Sequence, residues 1–207
     1  MNFDMVFEEQ DQSFQFEFGE IQNVSYGGYE RGYAEGYDNG ALEYGEVTRG
    51  LLSGTLKEFR DDKLTQLRRG AFIYNSTLTV VELPKVKTIS TNVFTQCSSL
   101  QRASFPQLTS IGNDAFSYCS SMTYCDIGNA ASLGSWVFTS CSSLQALIIR
   151  KADSICKLNH INSIDGNAIA KGIGFVYVPD HLVEQYKSAT NWSTYASQIK
   201  PISELEG

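Results

Sequence analysis

Histidine, proline and tryptophan are scarce in this 207-residue chain, with two, four and two copies. The two histidines, His160 and His181, are too few for an imidazole-rich metal centre or a catalytic triad. No nucleophile elbow or phosphate-binding loop is present, and cysteines are not paired at chelating distance. Catalytic, cofactor-binding and metal-binding residues are therefore all read as none, and an enzyme is not expected. No apolar run approaches the ~18 residues that a bilayer span needs, which argues against membrane insertion. Lys and Arg number 16 against 23 Asp and Glu. Such an acidic chain repels phosphate, so no nucleic-acid partner is expected. The first ten residues lack the basic and apolar regions of a secretory signal, which predicts synthesis in the cytoplasm without export by that route. The five cysteines, Cys97, Cys119, Cys125, Cys141 and Cys156, are odd in number, and in a reducing compartment they are read as small buried thiols rather than disulfides.

What the chain does contain is a period of 22. Phe72, Phe94, Phe116 and Phe138 share it, as do Leu78, Leu100, Met122 and Leu144, and Ile89, Ile111, Leu133 and Ile155. Three further columns follow: Val81, Ala103, Cys125, Leu147; Leu83, Phe105, Ile127, Ile149; and Val86, Leu108, Ala130, Ala152. Leu56, Phe59, Leu64 and Leu67 stand one period earlier, which predicts a degenerate opening repeat near Ser53. Each Leu-x-x-Val-x-Leu stretch ends in period-two alternation and reads as a short strand. Strands stacked ~4.8 Å apart bury each column on the next coil, so stability is close to a sum over neighbours. The recurring pairs Ser98-Ser99, Ser120-Ser121 and Ser142-Ser143 read as turn residues rather than nucleophiles.

The units LTVVELPKVKTISTNVFTQCSSL (78–100) and LQRASFPQLTSIGNDAFSYCSSM (100–122) resemble leucine-rich repeats of the BspA-like kind. The resemblance implies a leucine-rich repeat solenoid over 51–179, each repeat a β-strand with turns or a short helix. Pro84 and Pro106 give way to Gly128 and Arg150, and the register is lost after Ile155 until Phe175-Val-Tyr-Val-Pro179, read as a last strand after an insertion. Residues 180–207 are expected to form a C-terminal helical cap, with Asp180 as its N-cap and Leu182, Val183, Tyr186, Trp192, Tyr195 and Ile199 turned to the solenoid. In a leucine-rich strand the residues between the core positions face the concave surface. That gives one row of Val80, Arg102, Tyr124 and Ala146 and another of Glu82, Ser104, Asp126 and Ile148. A row mixing Arg, Tyr and Asp suits a protein or glycan ligand, and an ordinary solvated sheet face is the alternative.

The first fifty residues are a different object: eleven Asp/Glu against two Lys/Arg give them a net −9, while the remainder is +2. Within 1–25, Phe3, Met5, Phe7, Phe14, Phe16 and Phe18 alternate with polar residues and predict a β-hairpin with one aromatic face. Two strands are marginal alone, so this face should serve attachment. Within 26–50, Tyr26, Tyr29, Tyr33, Tyr37 and Tyr44 recur among glycines spaced by four. This segment reads either as a helical stalk of several chains or as a flexible Gly-rich tether.

A start of this kind, a Gly-Tyr run and then the repeats resemble leucine-rich repeat proteins carried in prophages of Gram-positive bacteria. The resemblance implies residence on a phage tail or phage-tail-like particle, with the N-terminus joined to other tail or baseplate proteins and to its own copies, a trimer being the expected number. The solenoid would then meet a host-surface protein or glycan. The other readings left open are a lysis-released or intracellular interaction or assembly protein, and a bacterial adhesin-like protein.

Overall fold

The computed structural model describes residues 57–205. Over that span each 22-residue period is one coil of a solenoid. Strands β1 (Glu58–Arg60) and β2 (Gln66–Leu67) belong to the first coil, and β3 (Val80–Glu82) and β4 (Thr88–Ile89) to the second. The third carries β5 (Arg102–Ser104) and β6 (Ser110–Ile111), and the fourth β7 (Tyr124–Asp126) and β8 (Ser132–Leu133). The fifth carries β9 (Ala146–Ile148) and β10 (Lys157–Leu158), after which come β11 (Phe175–Val178) and β12 (Ile199–Pro201). The odd-numbered strands and β12 form one seven-stranded sheet in the order β1-β3-β5-β7-β9-β11-β12. Every pairing in it is parallel. The other even-numbered strands make two smaller ladders, β2-β4-β6 and β8-β10.

Strands this short are not stable by themselves; stacking of identical positions holds them. The residues at the centres of β3, β5, β7 and β9, which are Val81, Ala103, Cys125 and Leu147, are completely buried, whereas Phe59 at the centre of β1 is half-buried. Opposite the large sheet, Phe72, Phe94, Phe116 and Phe138 form a continuous stack with ring centroids 5.0, 5.0 and 5.4 Å apart. Such ring pairs contribute roughly 0.5–1.5 kcal/mol each beyond their burial. The segments carrying them are turns, yet they too are laddered coil to coil: Phe72 N–H donates to Val93 O (2.9 Å), Phe94 N–H to Ala115 O (2.8 Å) and Phe116 N–H to Val137 O (2.9 Å).

Two positions of every turn segment take left-handed backbone. One column is Gly70, Asn92, Asp114 and Trp136, and the other Tyr74, Gln96, Tyr118 and Ser140, all with φ between 55° and 68°. For a residue with a Cβ this conformation costs about 1–2 kcal/mol. Only the first column gave a hint in the sequence, because Gly, Asn and Asp are the usual occupants.

The 22-residue register ends earlier than expected for two columns. Leu133 pairs with Leu158, not with Ile155. Ile155 is half-exposed and Ala152 exposed, so neither joins the core column predicted for it. Extra residues between β9 and β10 displace the fifth coil, and more follow β10. As a result Phe175 lies 29 residues after Ala146, its partner in the sheet, instead of 22. The strand expected at Phe175 is present.

The C-terminal segment departs from a purely helical arrangement. A 3-10 turn (Asp180–Leu182) leads into α1 (Val183–Ser188), and a second 3-10 segment (Trp192–Gln198) runs into β12, which extends the sheet beyond β11. Asp180 is not an N-cap: Pro179 holds that position, and the Asp180 carboxylate accepts instead from Ser203 N–H (3.3 Å). Leu182, Tyr186, Trp192 and Ile199 are buried. Cys156 is the anchor, since its N–H donates to the Tyr186 hydroxyl and its carbonyl accepts from Trp192 Nε1, both at 2.7 Å. The hairpin expected within 1–25 and the stalk or tether expected within 26–50 lie outside the described residues.

Gly128 takes the place of the prolines at 84 and 106, and its φ is +51°. A Cβ there would stand 2.4 Å from Pro106 O and 2.5 Å from Phe105 O, both backbone atoms of the preceding coil. Gly128→Ala should therefore destabilise the protein by roughly 2–4 kcal/mol through strain and overpacking. Thermal melts of wild type and variant check this, and an unchanged midpoint would contradict it.

Candidate binding surface

The pleat sends the residues flanking each buried strand centre to the outer face of the large sheet, and the parallel register aligns them into two rows. One row reads Glu58, Val80, Arg102, Tyr124, Ala146, Phe175; the other reads Arg60, Glu82, Ser104, Asp126, Ile148, Tyr177, Lys200. All eight residues of the expected face lie on these rows. Glu58, Arg60, Phe175 and Tyr177 join them, signalled by the Phe59 column position and the Phe175-Val-Tyr-Val alternation, and so does Lys200, on a strand β12 that no repeat position announced.

The charged members of the rows hold one another. Arg60 Nε donates to Glu82 Oε2 (2.8 Å), and Arg60 also pairs with Glu58. Glu82 Oε1 lies 3.5 Å from Arg102 Nε, and the Arg102 guanidinium sits 3.8 Å above the Tyr124 ring. The Arg60 hydrogen bond, against the cost of burial, keeps the Glu82 carboxyl below its ordinary range. At the other end Lys200 Nζ stands 4.5 Å over the Phe175 ring and 2.9 Å from Glu204. Each exposed pair contributes little by itself, but together they fix the orientations of long side chains.

Asp126 and Ile148 are not accessible, at 2% and 0% exposure, and they leave the candidate face with six open members. Asp126 is structural: its Oδ1 accepts from Gly128 N–H (2.9 Å), bracing the left-handed turn, and its Oδ2 accepts from Arg150 Nε (2.7 Å). Burial opposes the Arg150 charge, and the Asp126 bond and charge more than offset it, so this guanidinium stays above its usual range. Ile148 stands in register between that buried carboxylate and Tyr177. The attachment candidates Phe3, Met5, Phe7, Phe14, Phe16, Phe18, Tyr26, Tyr29, Tyr33, Tyr37 and Tyr44 fall outside the described residues.

The cysteine column has a local role that spacing alone did not reveal. Cys97, Cys119 and Cys141 donate from Sγ to the carbonyls of Phe72, Phe94 and Phe116 at 3.0, 3.1 and 3.0 Å, clasping each coil to the one before. All five thiols are buried and unbridged. Burial pushes Cys97 and Cys156 up to about 12 and raises Cys119 and Cys125 as well. The serine pairs fall in turns, and Ser142 Oγ donates to Ser120 O (3.2 Å), one more coil-to-coil link. His160 Nδ1 accepts from Asn162 N–H (3.3 Å), and His181 Nε2 lies 2.9 Å from Ala152 O. Among the described residues no three His, Cys, Asp or Glu side chains gather as a metal site, and no helix is long and apolar enough to cross a membrane. A cleft of about 380 Å³ opens between β10 and the second 3-10 segment, lined by Ile155, Lys157, Asn159, Thr190 and Trp192 among others.

Parallel strands one coil apart, an aromatic stack and a displayed sheet face define a leucine-rich repeat protein. The chain belongs to the BspA type leucine rich repeat region family, whose model matches residues 63–171 in six copies. Repeats of this class are generally non-enzymatic and mediate protein binding. Among solved structures the chain is similar to a leucine-rich repeat protein from Bacteroides ovatus, at 17% identity and a TM-score of 0.34. That similarity covers 63% of this chain and 41% of the other. No curated protein matches.

The thiols give a pH dependence with a definite sign. In the unfolded chain they ionise near pH 8.5, whereas in the fold the neutral form is held to about pH 12 for Cys97 and Cys156. Their contribution to stability is complete below the unfolded value and is lost as pH rises through the folded one. Urea midpoints should therefore fall steadily above about pH 9. A thiol reagent at pH 8 should label the cysteines only after denaturation. Rapid labelling of the native protein would contradict this account.

Proposed function

We propose that the chain is a non-enzymatic component of a phage or phage-tail-like particle, an accessory of the tail fibre or baseplate, whose solenoid presents a rigid surface to a host-surface ligand. In this reading residues 1–50 attach to neighbouring tail or baseplate proteins and to sister chains, and the solenoid is the displayed part. The observation that carries the binding role is the preformed outer surface of the seven-stranded sheet, where Arg60, Glu82, Arg102 and Tyr124 are held in fixed orientations by one another. A surface ordered before contact loses little side-chain freedom on binding. The location on a particle is supported by the sequence: an alternating aromatic segment set among acidic residues, then a Gly-Tyr run, ahead of the repeats.

Mass spectrometry of particles purified from the producing strain tests the location. The chain should appear in a fixed ratio to the tail proteins, and its absence from washed particles would overturn the proposal. Light scattering on the full chain should give the mass of a trimer, with association strengthened by added salt because each N-terminal fifty residues carry a net −9. A monomer at tens of micromolar protein and moderate salt would overturn the attachment role of that segment.

A further inference from the structure

The turn wall of the solenoid, away from the charged sheet, carries an arrangement that folding does not explain. Tyr74, Tyr118 and Trp136 are exposed at 54%, 54% and 48% and are the only exposed large aromatics among the described residues. All three sit at left-handed positions, with φ of 62°, 60° and 57°. Elsewhere in the same two columns the chain uses Gly70, Asn92, Gln96, Asp114 and Ser140. The left-handed backbone belongs to the repeat, since Gln96 and Ser140 share it, but a large ring at these positions gains little burial and is not needed for the turn.

We propose that this wall binds a neutral, extended β-linked oligosaccharide along the column Tyr74, Gln96, Tyr118, Ser140, with Trp136 on the same wall in the fourth coil. The proposal rests on the reading of the chain as a binding protein and names the ligand class and the place. Three observations carry it. The first is charge: the turn segments 70–78, 92–100, 114–122 and 136–144 contain one ionisable side chain of Asp, Glu, Lys or Arg type, Asp114, and are rich in Ser and Thr. These segments carry hydroxyls and a single carboxylate, with Arg68 and Arg69 only at the edge of the first, and offer little along their length to a phosphate or an anionic peptide. They suit a ligand that is itself uncharged and covered in hydroxyls.

The second is alternation. Along the column an exposed ring, an exposed amide, an exposed ring and a half-buried hydroxyl follow one another at single-coil steps. Aromatic faces accept the apolar C–H faces of sugar rings, and amide and hydroxyl groups between them can serve sugar hydroxyls. The third is spacing on a rigid support. The Phe72–Phe94 and Phe94–Phe116 centroids are 5.0 Å apart in each step, so the Tyr74 and Tyr118 backbones stand about 10 Å apart. That is close to the length of a disaccharide unit in an extended β-1,4-linked chain. The support is laddered: Tyr74 N–H donates to Thr95 O (2.9 Å), Gln96 N–H to Ser117 O (2.8 Å) and Tyr118 N–H to Thr139 O (2.8 Å).

The test is calorimetric titration of the full chain with cellohexaose and with N-acetylchitohexaose, alongside the corresponding disaccharides, with tryptophan fluorescence as a second readout because Trp136 is exposed and Trp192 buried. At least one hexasaccharide should bind saturably and roughly tenfold or more tightly than its disaccharide, because rings one disaccharide unit apart are the first and third of a chain and a disaccharide can stack a ring centrally on only one tyrosine. Tyr74→Ser and Tyr118→Ser should each weaken binding about tenfold without lowering the melting midpoint, since serine already occupies this column at Ser140. Arg102→Ala, on the sheet face, should leave sugar binding unchanged. Absence of saturable binding by either hexasaccharide would overturn the proposal, as would binding that survives both tyrosine substitutions or is lost with Arg102→Ala. If the chain is present in particles yet binds neither sugar, this inference fails while the particle assignment stands. If it binds sugar through the tyrosines but is absent from particles, the reverse holds.

Discussion

In-register stacking, with each coil laying the same side chains on those of the coil before, is the constraint on which the rest of the structure depends. Parallel strands one coil apart align Val81 on Phe59 and Ala103 on Val81, and the turn ladders align Phe94 on Phe72 in the same stroke. A shift of one residue would turn Arg102 or Tyr124 into the core and expose the strand centres. The cysteine-to-carbonyl bonds also depend on it, because each spans 25 residues and closes only if a whole coil intervenes. Stability in such a stack is nearly a sum over adjacent coils, so the interfaces between them matter more than any single strand.

The same stacking gives the solenoid two walls of opposite chemistry. On the sheet wall, alternation places charges one coil apart, where Glu82 serves both Arg60 and Arg102 and the rows neutralise themselves. On the turn wall the repeated Ser and Thr residues spend many hydroxyls on carbonyls of the preceding or following coil, as Ser142 does on Ser120 and Thr95 on Asp114 (2.6 Å). One wall is ordered by ion pairs and a cation over a ring, the other by backbone ladders beneath exposed aromatics.

Much of the fold was legible in the sequence because the period repeats: Phe72 to Phe138, the strand centres and the rows beside them all follow from counting by 22. Where counting fails, the reason is local. Ala152 and Ile155 look like column members, but residues inserted within the fifth coil move Leu158 into that place. Asp126 looks like a displayed carboxylate, yet the proline-to-glycine change two residues later creates a left-handed turn that draws it inward, and Arg150, one period beyond Gly128, completes its burial. The aromatic ridge was invisible for a different reason. Left-handed backbone at Tyr74, Tyr118 and Trp136 has no side-chain signature when the residues are not Gly, Asn or Asp, so exposure at these columns emerges only from the coil geometry.

The register is tested most directly by deletion. Removing residues 101–122 takes out one complete period and joins Leu100 to Thr123 as Met122 was joined, leaving every remaining coil in phase. Removing residues 103–122 instead leaves two surplus residues in the joined coil, so that Cys125 no longer falls 22 residues after Val81. Urea unfolding of both should separate them. The account predicts that the in-phase deletion remains folded and unfolds cooperatively at a reduced midpoint, while the deletion that leaves two surplus residues in one coil unfolds at a clearly lower midpoint still. Equal behaviour of the two deletions would contradict it.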